Sequence, residues 1–156
     1  MLDQLPIWTQ IFLFSMIPGV ESKVAVPFAI YEYGWQWWQA FPIGLLGNII
    51  LVPFGLLFMH KLENFLSRYK SIEKIMIKIF SRLRRRADKK IQNYEYFGLL
   101  IIVAVPLPLT GAGLGTIIAY LFNLNFSRSI LTIFIGVVIA TSITTFFYLV
   151  LDYVLF

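Results

Sequence analysis

Leu5-Pro-Ile-Trp-Thr-Gln-Ile-Phe-Leu-Phe-Ser-Met-Ile17, broken by Pro18-Gly-Val-Glu-Ser-Lys23 and resumed as an apolar run from Val24 to Tyr33, is the stretch that decides the fold. Its first arm has 13 residues, roughly 20 Å of helix against a hydrocarbon core of about 30 Å. It is too short to cross a bilayer alone. The break carries a carboxylate and an ammonium, Glu21 and Lys23, inside a segment that is otherwise apolar.

The same grammar recurs further along. Phe97 to Val105 runs into Pro106-Leu-Pro-Leu-Thr-Gly-Ala-Gly-Leu-Gly115, and a second short arm follows from Thr116 to Phe122. Each broken pair precedes a stretch long enough to span, Ala40 to Met59 and Ser129 to Leu151. Superposing the halves at an offset of 90 residues lays Pro18 on Pro108 and Ala29 on Ala119. The repeat therefore rests on hydropathy and helix breakers, not on residue identity. Interrupted apolar segments at corresponding places in two halves point to a transporter site between them.

Composition sets the class. Of the 156 residues, 59% are hydrophobic and 13% charged, and the mean hydropathy is +0.79, whereas an ordinary soluble domain has about half and about a quarter. A soluble core of this size cannot hide so much apolar surface. With no cysteine and one histidine, His60, disulfides and His/Cys metal sites are excluded; no metal or other cofactor is expected. Residues 61–96 hold 11 of the 13 Lys and Arg and 4 of the 8 acids, which marks that segment as cytoplasmic. Leu62, Phe65, Leu66, Tyr69, Ile72, Met76, Ile79, Phe80 and Leu83 repeat at helical spacing, so an amphipathic helix on an anionic leaflet is expected. Arg84, Arg85, Arg86, Lys89 and Lys90 are its candidate ligands for phosphate-bearing lipid heads; the spans explain the cluster without nucleic acid.

The predicted fold is an all-α integral membrane protein of one domain and two inverted repeats. Repeat one covers 5–59, the basic cytoplasmic bridge 60–96 and repeat two 97–152, each repeat pairing a re-entrant hairpin with a transmembrane helix. This arrangement leaves both termini outside, sets Trp35, Trp37 and Trp38 in the outer aromatic belt and holds Arg128 inside. Four plain spans, with Arg128 outside, are the competing reading.

The candidate site joins the two breaks. Unpaired backbone at membrane depth must be buried in protein or face water, and charges there are functional candidates by default. Pro18, Gly19, Glu21 and Lys23 make one half; Pro106, Pro108, Thr110, Gly111, Gly113 and Gly115 make the other, with Asn48 of the first full span as a further polar contact. The Pro/Gly spacing fits neither a dinucleotide loop nor a potassium filter. His60 and Glu32 read as interfacial, and Thr141, Ser142, Thr144 and Thr145 as hydroxyls bonding back to their own helix. Gly44, Gly47, Gly136 and Ala140 allow close helix contact, either within the chain or across a homodimer. No nucleophile–base pair or metal-ligand set suggests an enzyme.

Pro18-Gly-Val-Glu-Ser-Lys-Val-Ala-Val-Pro27 resembles the first signature of the small multidrug export protein family, and Pro106-Leu-Pro-Leu-Thr-Gly-Ala-Gly113 with Gly115 its second. Lys23 stands where that pattern leads one to expect arginine. The family is similar to the DedA superfamily, and the likeness implies two re-entrant hairpins and movement of a small molecule or lipid-linked phosphate by alternating access, coupled to protons or sodium. A scaffold that binds lipid without transporting is the alternative.

Overall fold

The computed structural model describes residues 5–66, 92–107 and 110–155, and among these every regular element is helical. The helices are α1 (Ile7–Ser15), α2 (Glu21–Tyr33), α3 (Trp37–Leu66), α4 (Gln92–Ala104), α5 (Ala112–Leu121) and α6 (Phe126–Leu155). Breaker residues set these boundaries. Pro6 sits at the N-cap of α1, and Gly19 turns the chain with φ 92° before α2. Gly34 ends α2 in the left-handed conformation, open to residues without a Cβ penalty. Asn125 caps α6, its Oδ1 accepting from the Ser127 and Arg128 amides at 3.2 and 3.4 Å.

Two lengths recur. α1, α2 and α5 have 9, 13 and 10 residues, roughly 14–20 Å each, well short of a bilayer core of about 30 Å, and α4 has 13 among the described residues. α3 and α6 have 30 residues each, about 45 Å, and both contain stretches apolar and long enough to cross, Trp37–Met59 and Phe126–Leu155. Only a third of the most apolar window of each is buried. Leu46, Phe54, Phe58, Leu131, Phe146 and Phe147 lie exposed along their lengths, the reverse of a soluble core helix and the surface a lipid environment accepts.

α1 packs on α3 and α2, and α4 packs on α6 and α5. The halves then interlock, α2 lying against α6 and α5 against α3, with α3 and α6 also in contact. Val52 and Leu56 of α3, Leu99 and Val103 of α4, Ala119 of α5 and Ile133 of α6 form the larger core cluster. Ile11, Val26, Ala29 and Ala40 form the smaller one, between α1, α2 and α3.

Close approach depends on two glycines. A Cβ on Gly47 would lie 2.4 Å from the Phe12 carbonyl of α1, and one on Gly136 would lie 2.7 Å from Val103 of α4. An offset of 89 residues carries Trp37 onto Phe126 and Gly47 onto Gly136, one less than the expected 90. Gly47 and Gly136, and Gly44 against Val26 of α2, thus serve contacts within the chain, the alternative to a dimer interface left open by the sequence.

The structure also moves boundaries. α2 begins at Glu21 and not at Val24, so both charges stand in its first turn. Residues 60–66 belong to α3 and 92–96 to α4, both ends of the expected bridge. Its middle, with Arg84, Arg85, Arg86, Lys89 and Lys90, lies outside the described residues.

Candidate functional site: a buried ion pair on a broken helix

Glu21 begins α2 with φ 55°, the left-handed region that a residue with a Cβ seldom enters. Its amide donates to the Ile17 carbonyl at 3.1 Å, which ties the turn closed. From this position its carboxylate reaches across to the other half of the chain. Oε1 accepts from the Gly113 amide at 3.4 Å in the first turn of α5, where the helix dipole favours a negative charge.

Gly111 lets the carboxylate in. A Cβ there would sit 1.8 Å from Glu21 Oε2, and Gly111 holds φ 135°, ψ −151°, a conformation that essentially only glycine adopts. Thus Gly111 answers both a backbone and a packing requirement.

Lys23 lies two residues along the same turn, its Nζ 3.4 Å from Glu21 Oε2, with both side chains more than nine-tenths buried. The ammonium donates to the Leu107 carbonyl at 2.8 Å and to the Thr110 carbonyl. These carbonyls belong to the irregular segment between α4 and α5, where prolines prevent regular helical bonding. Thr110 stiffens that segment. Its hydroxyl donates to the Val105 carbonyl at 2.6 Å and accepts from the Leu107 amide at 3.1 Å.

Between the charges, Ser22 faces the opposite way, fully buried. Its hydroxyl shares a 2.7 Å hydrogen bond with Thr141 of α6 and accepts from Asn48 Nδ2 of α3 at 3.1 Å. The first turn of α2 is thereby bonded to both long helices and to the break of the second half. A buried polar network of this kind is stable only when its members are satisfied, and each of these is.

The structure brings Glu21, Lys23, Thr110, Gly111 and Gly113 together, and Asn48 joins through Ser22. Gly115 does not take part: it packs α5 against Val103 and Ile133. Pro18 is exposed and Gly19 forms the turn that leads into Glu21. Pro106 is half-buried, and Pro108 lies outside the described residues. Ser142 and Thr144 bond back to Val138 and Ala140 as expected, while Thr141 turns to Ser22 instead and the buried Thr145 hydroxyl has no partner among the described residues. Ser22 is the residue sequence reasoning missed as a site member; its signal was a small hydroxyl between two charges in an apolar run. Leu107 is another, since it contributes only a carbonyl. An apolar groove of about 410 Å³ lies between α1 and α2, lined by Gln10, Leu13, Phe14, Ile17, Phe28 and Tyr33 and by none of the charged residues.

The family described as "Putative small multi-drug export protein" matches residues 21–143, from the ion pair to just past Thr141 in the last long helix. No curated protein and no solved structure matches the chain.

Proposed function

The chain belongs to the small multi-drug export protein family, and from that premise we propose that it is a multi-pass membrane transporter, not an enzyme, that moves a small molecule or lipid-linked phosphate by alternating access. One observation carries the reading: a buried, fully bonded ion pair of one half grips the non-helical backbone of the other. Buried charges in a membrane protein are expensive to keep. Transporter sites combine broken helices from two halves in this manner.

Two further features support an inverted repeat with re-entrant hairpins. α1, α2 and α5 are each too short to cross, and the packing of α2 on α6 mirrors that of α5 on α3. In this reading the pair lies near the midplane, the basic segment 61–96 is cytoplasmic and binds anionic lipid through Arg84, Arg85, Arg86, Lys89 and Lys90, and both termini are outside. Two spans and two hairpins leave an incomplete wall around a substrate, which a second copy of the chain would complete as a homodimer. Transport is coupled to a proton or sodium ion, and the relation to DedA proteins extends to lipid phosphates as substrates.

The test is flux in vesicles reconstituted with purified protein, using a lipid phosphate and a cationic drug in parallel arms. Protein-dependent movement of either, lost in Glu21→Gln at equal incorporation, is expected. Absence of flux in both arms, or full flux in Glu21→Gln, refutes the assignment.

A further inference from the structure

The Lys23 ammonium sits among oxygen atoms from three places: the Leu107 carbonyl, the Thr110 carbonyl and Glu21 Oε2. Two are main-chain carbonyls of a non-helical segment and the third is a buried carboxylate. Transporters coordinate alkali ions with such donors, carbonyls of unwound helices, and carbonyl oxygens replace the hydration shell of potassium in channels. Hard cations select oxygen ligands in general. An ammonium group and a potassium ion are similar in size and charge, and they differ mainly in that ammonium bonds through directed hydrogens.

We propose that this oxygen cage is a monovalent-cation site, which Lys23 fills as a tethered occupant and which a free alkali or small alkylammonium ion takes when the ammonium is absent or withdrawn. The donors are held independently of Lys23. Thr110 is fixed by its hydroxyl bonds to Val105 and Leu107, and the Leu107 carbonyl also accepts from the Thr110 amide at 3.3 Å. The Glu21 carboxylate is fixed by the Gly113 amide and by the fit against Gly111. Removing the lysine side chain therefore leaves a shaped, negatively charged vacancy.

Charge balance favours refilling it. With Lys23 in place the cage is neutral, and one monovalent ion restores neutrality after its removal, whereas a divalent ion overshoots. In the wild type the tethered ammonium competes at a high effective concentration, as groups on short linkers do, so a free ion binds more weakly there. The link to coupled transport rests on the function proposed above; the binding itself does not.

The experiment measures thermal unfolding of purified protein in detergent, in chloride salts of potassium, sodium, methylammonium and choline at equal ionic strength. Choline is the bulky control, without N–H donors. Lys23→Ala is expected to gain roughly 3 °C in at least one of the three small cations over choline, wild type less, and Glu21→Gln/Lys23→Ala nothing. Potassium or sodium alone identifies a metal site; methylammonium alone identifies a site for organic ammonium ions. Should Lys23→Ala fail to fold in choline, its recovery by a small cation is the expected result. No response of Lys23→Ala to any small cation, or an equal response in the double variant, overturns the proposal whatever the flux assay gives.

Discussion

Removing Lys23 should destabilise the protein more than removing both members of its ion pair. Lys23→Met takes the ammonium from the Leu107 and Thr110 carbonyls and leaves Glu21 buried with a single long bond, from the Gly113 amide at 3.4 Å. Breaking one partner of a buried pair costs about 3–5 kcal/mol, chiefly because a charge remains uncompensated. Glu21→Gln is milder. The ammonium keeps both carbonyls, and the glutamine oxygen can still accept from Gly113, which sets its cost near the lower end of that range.

In Glu21→Gln/Lys23→Met both carbonyls again lose the ammonium, although Leu107 keeps Thr110 as a donor, and no buried charge is left. The double variant is therefore expected to be more stable than Lys23→Met by about 1–3 kcal/mol, the desolvation penalty of the unpaired buried carboxylate that it no longer carries. Reversible unfolding in mixed micelles, followed by far-ultraviolet circular dichroism in choline chloride, measures all four proteins without a small cation to refill the cage. A double variant less stable than Lys23→Met, or losses that add to within about 0.5 kcal/mol, would show that the charges do not compensate one another. The reasoning on the pair would then fail.

The remaining predictions follow from single atoms. Gly111→Ala should expel the Glu21 carboxylate, because its Cβ would sit 1.8 Å from Oε2, whereas Gly98→Ala, with nothing within 4 Å of the new atom, should unfold at or above the wild-type temperature; equal effects of the two would refute the contact. Ser22→Ala leaves Thr141 without its partner hydroxyl on α2 and Asn48 without its acceptor, a loss of about 1–3 kcal/mol in the same unfolding assay. Glu95, at the start of α4, has a buried oxygen with no partner among the described residues, and desolvation raises its pKa. Its charged form is thus disfavoured on folding, so stability should fall as pH rises through that raised value. Glu95→Gln should remove this dependence, and unchanged pH profiles of unfolding would refute it.

Much of this architecture is legible in the sequence because its signals are coarse. The runs 40–59 and 129–151 lie within helices that continue to Trp37 and Leu66 and to Phe126 and Leu155, and Pro18-Gly19 marks the break before α2. Helix ends were less legible, since apolar character marks where lipid begins and not where hydrogen bonding stops. Thus Glu21 and Lys23 read as part of a break, although Glu21, at φ 55°, already begins α2. The partners of the charges were foreseeable only as a segment. Leu107 contributes a carbonyl, which every residue has, so nothing in its identity distinguishes it from Leu109. Thr141 and Thr144 look alike in sequence, yet one bonds across to Ser22 and the other back to Ala140. Only the direction each side chain faces separates them.

The two halves contribute unequally to the site, and the inequality has a physical logic. At the 89-residue offset, Glu21, Ser22 and Lys23 fall on Thr110, Gly111 and Ala112, so side-chain charge in one half meets bare backbone in the other. A broken helix exposes amides at the start of its second piece and unpaired carbonyls in the irregular segment before it. Those two kinds of group have opposite polarity. Glu21 goes to the amide of Gly113 and Lys23 to the carbonyls of Leu107 and Thr110, each charge matched to the backbone group that stabilises it. Exchanging the two, Glu21→Lys with Lys23→Glu, keeps the pair and its net charge but sets each ion against backbone of its own sign. If ion pairing alone held the site, that swap would be tolerated; the polarity of the break requires that it is not.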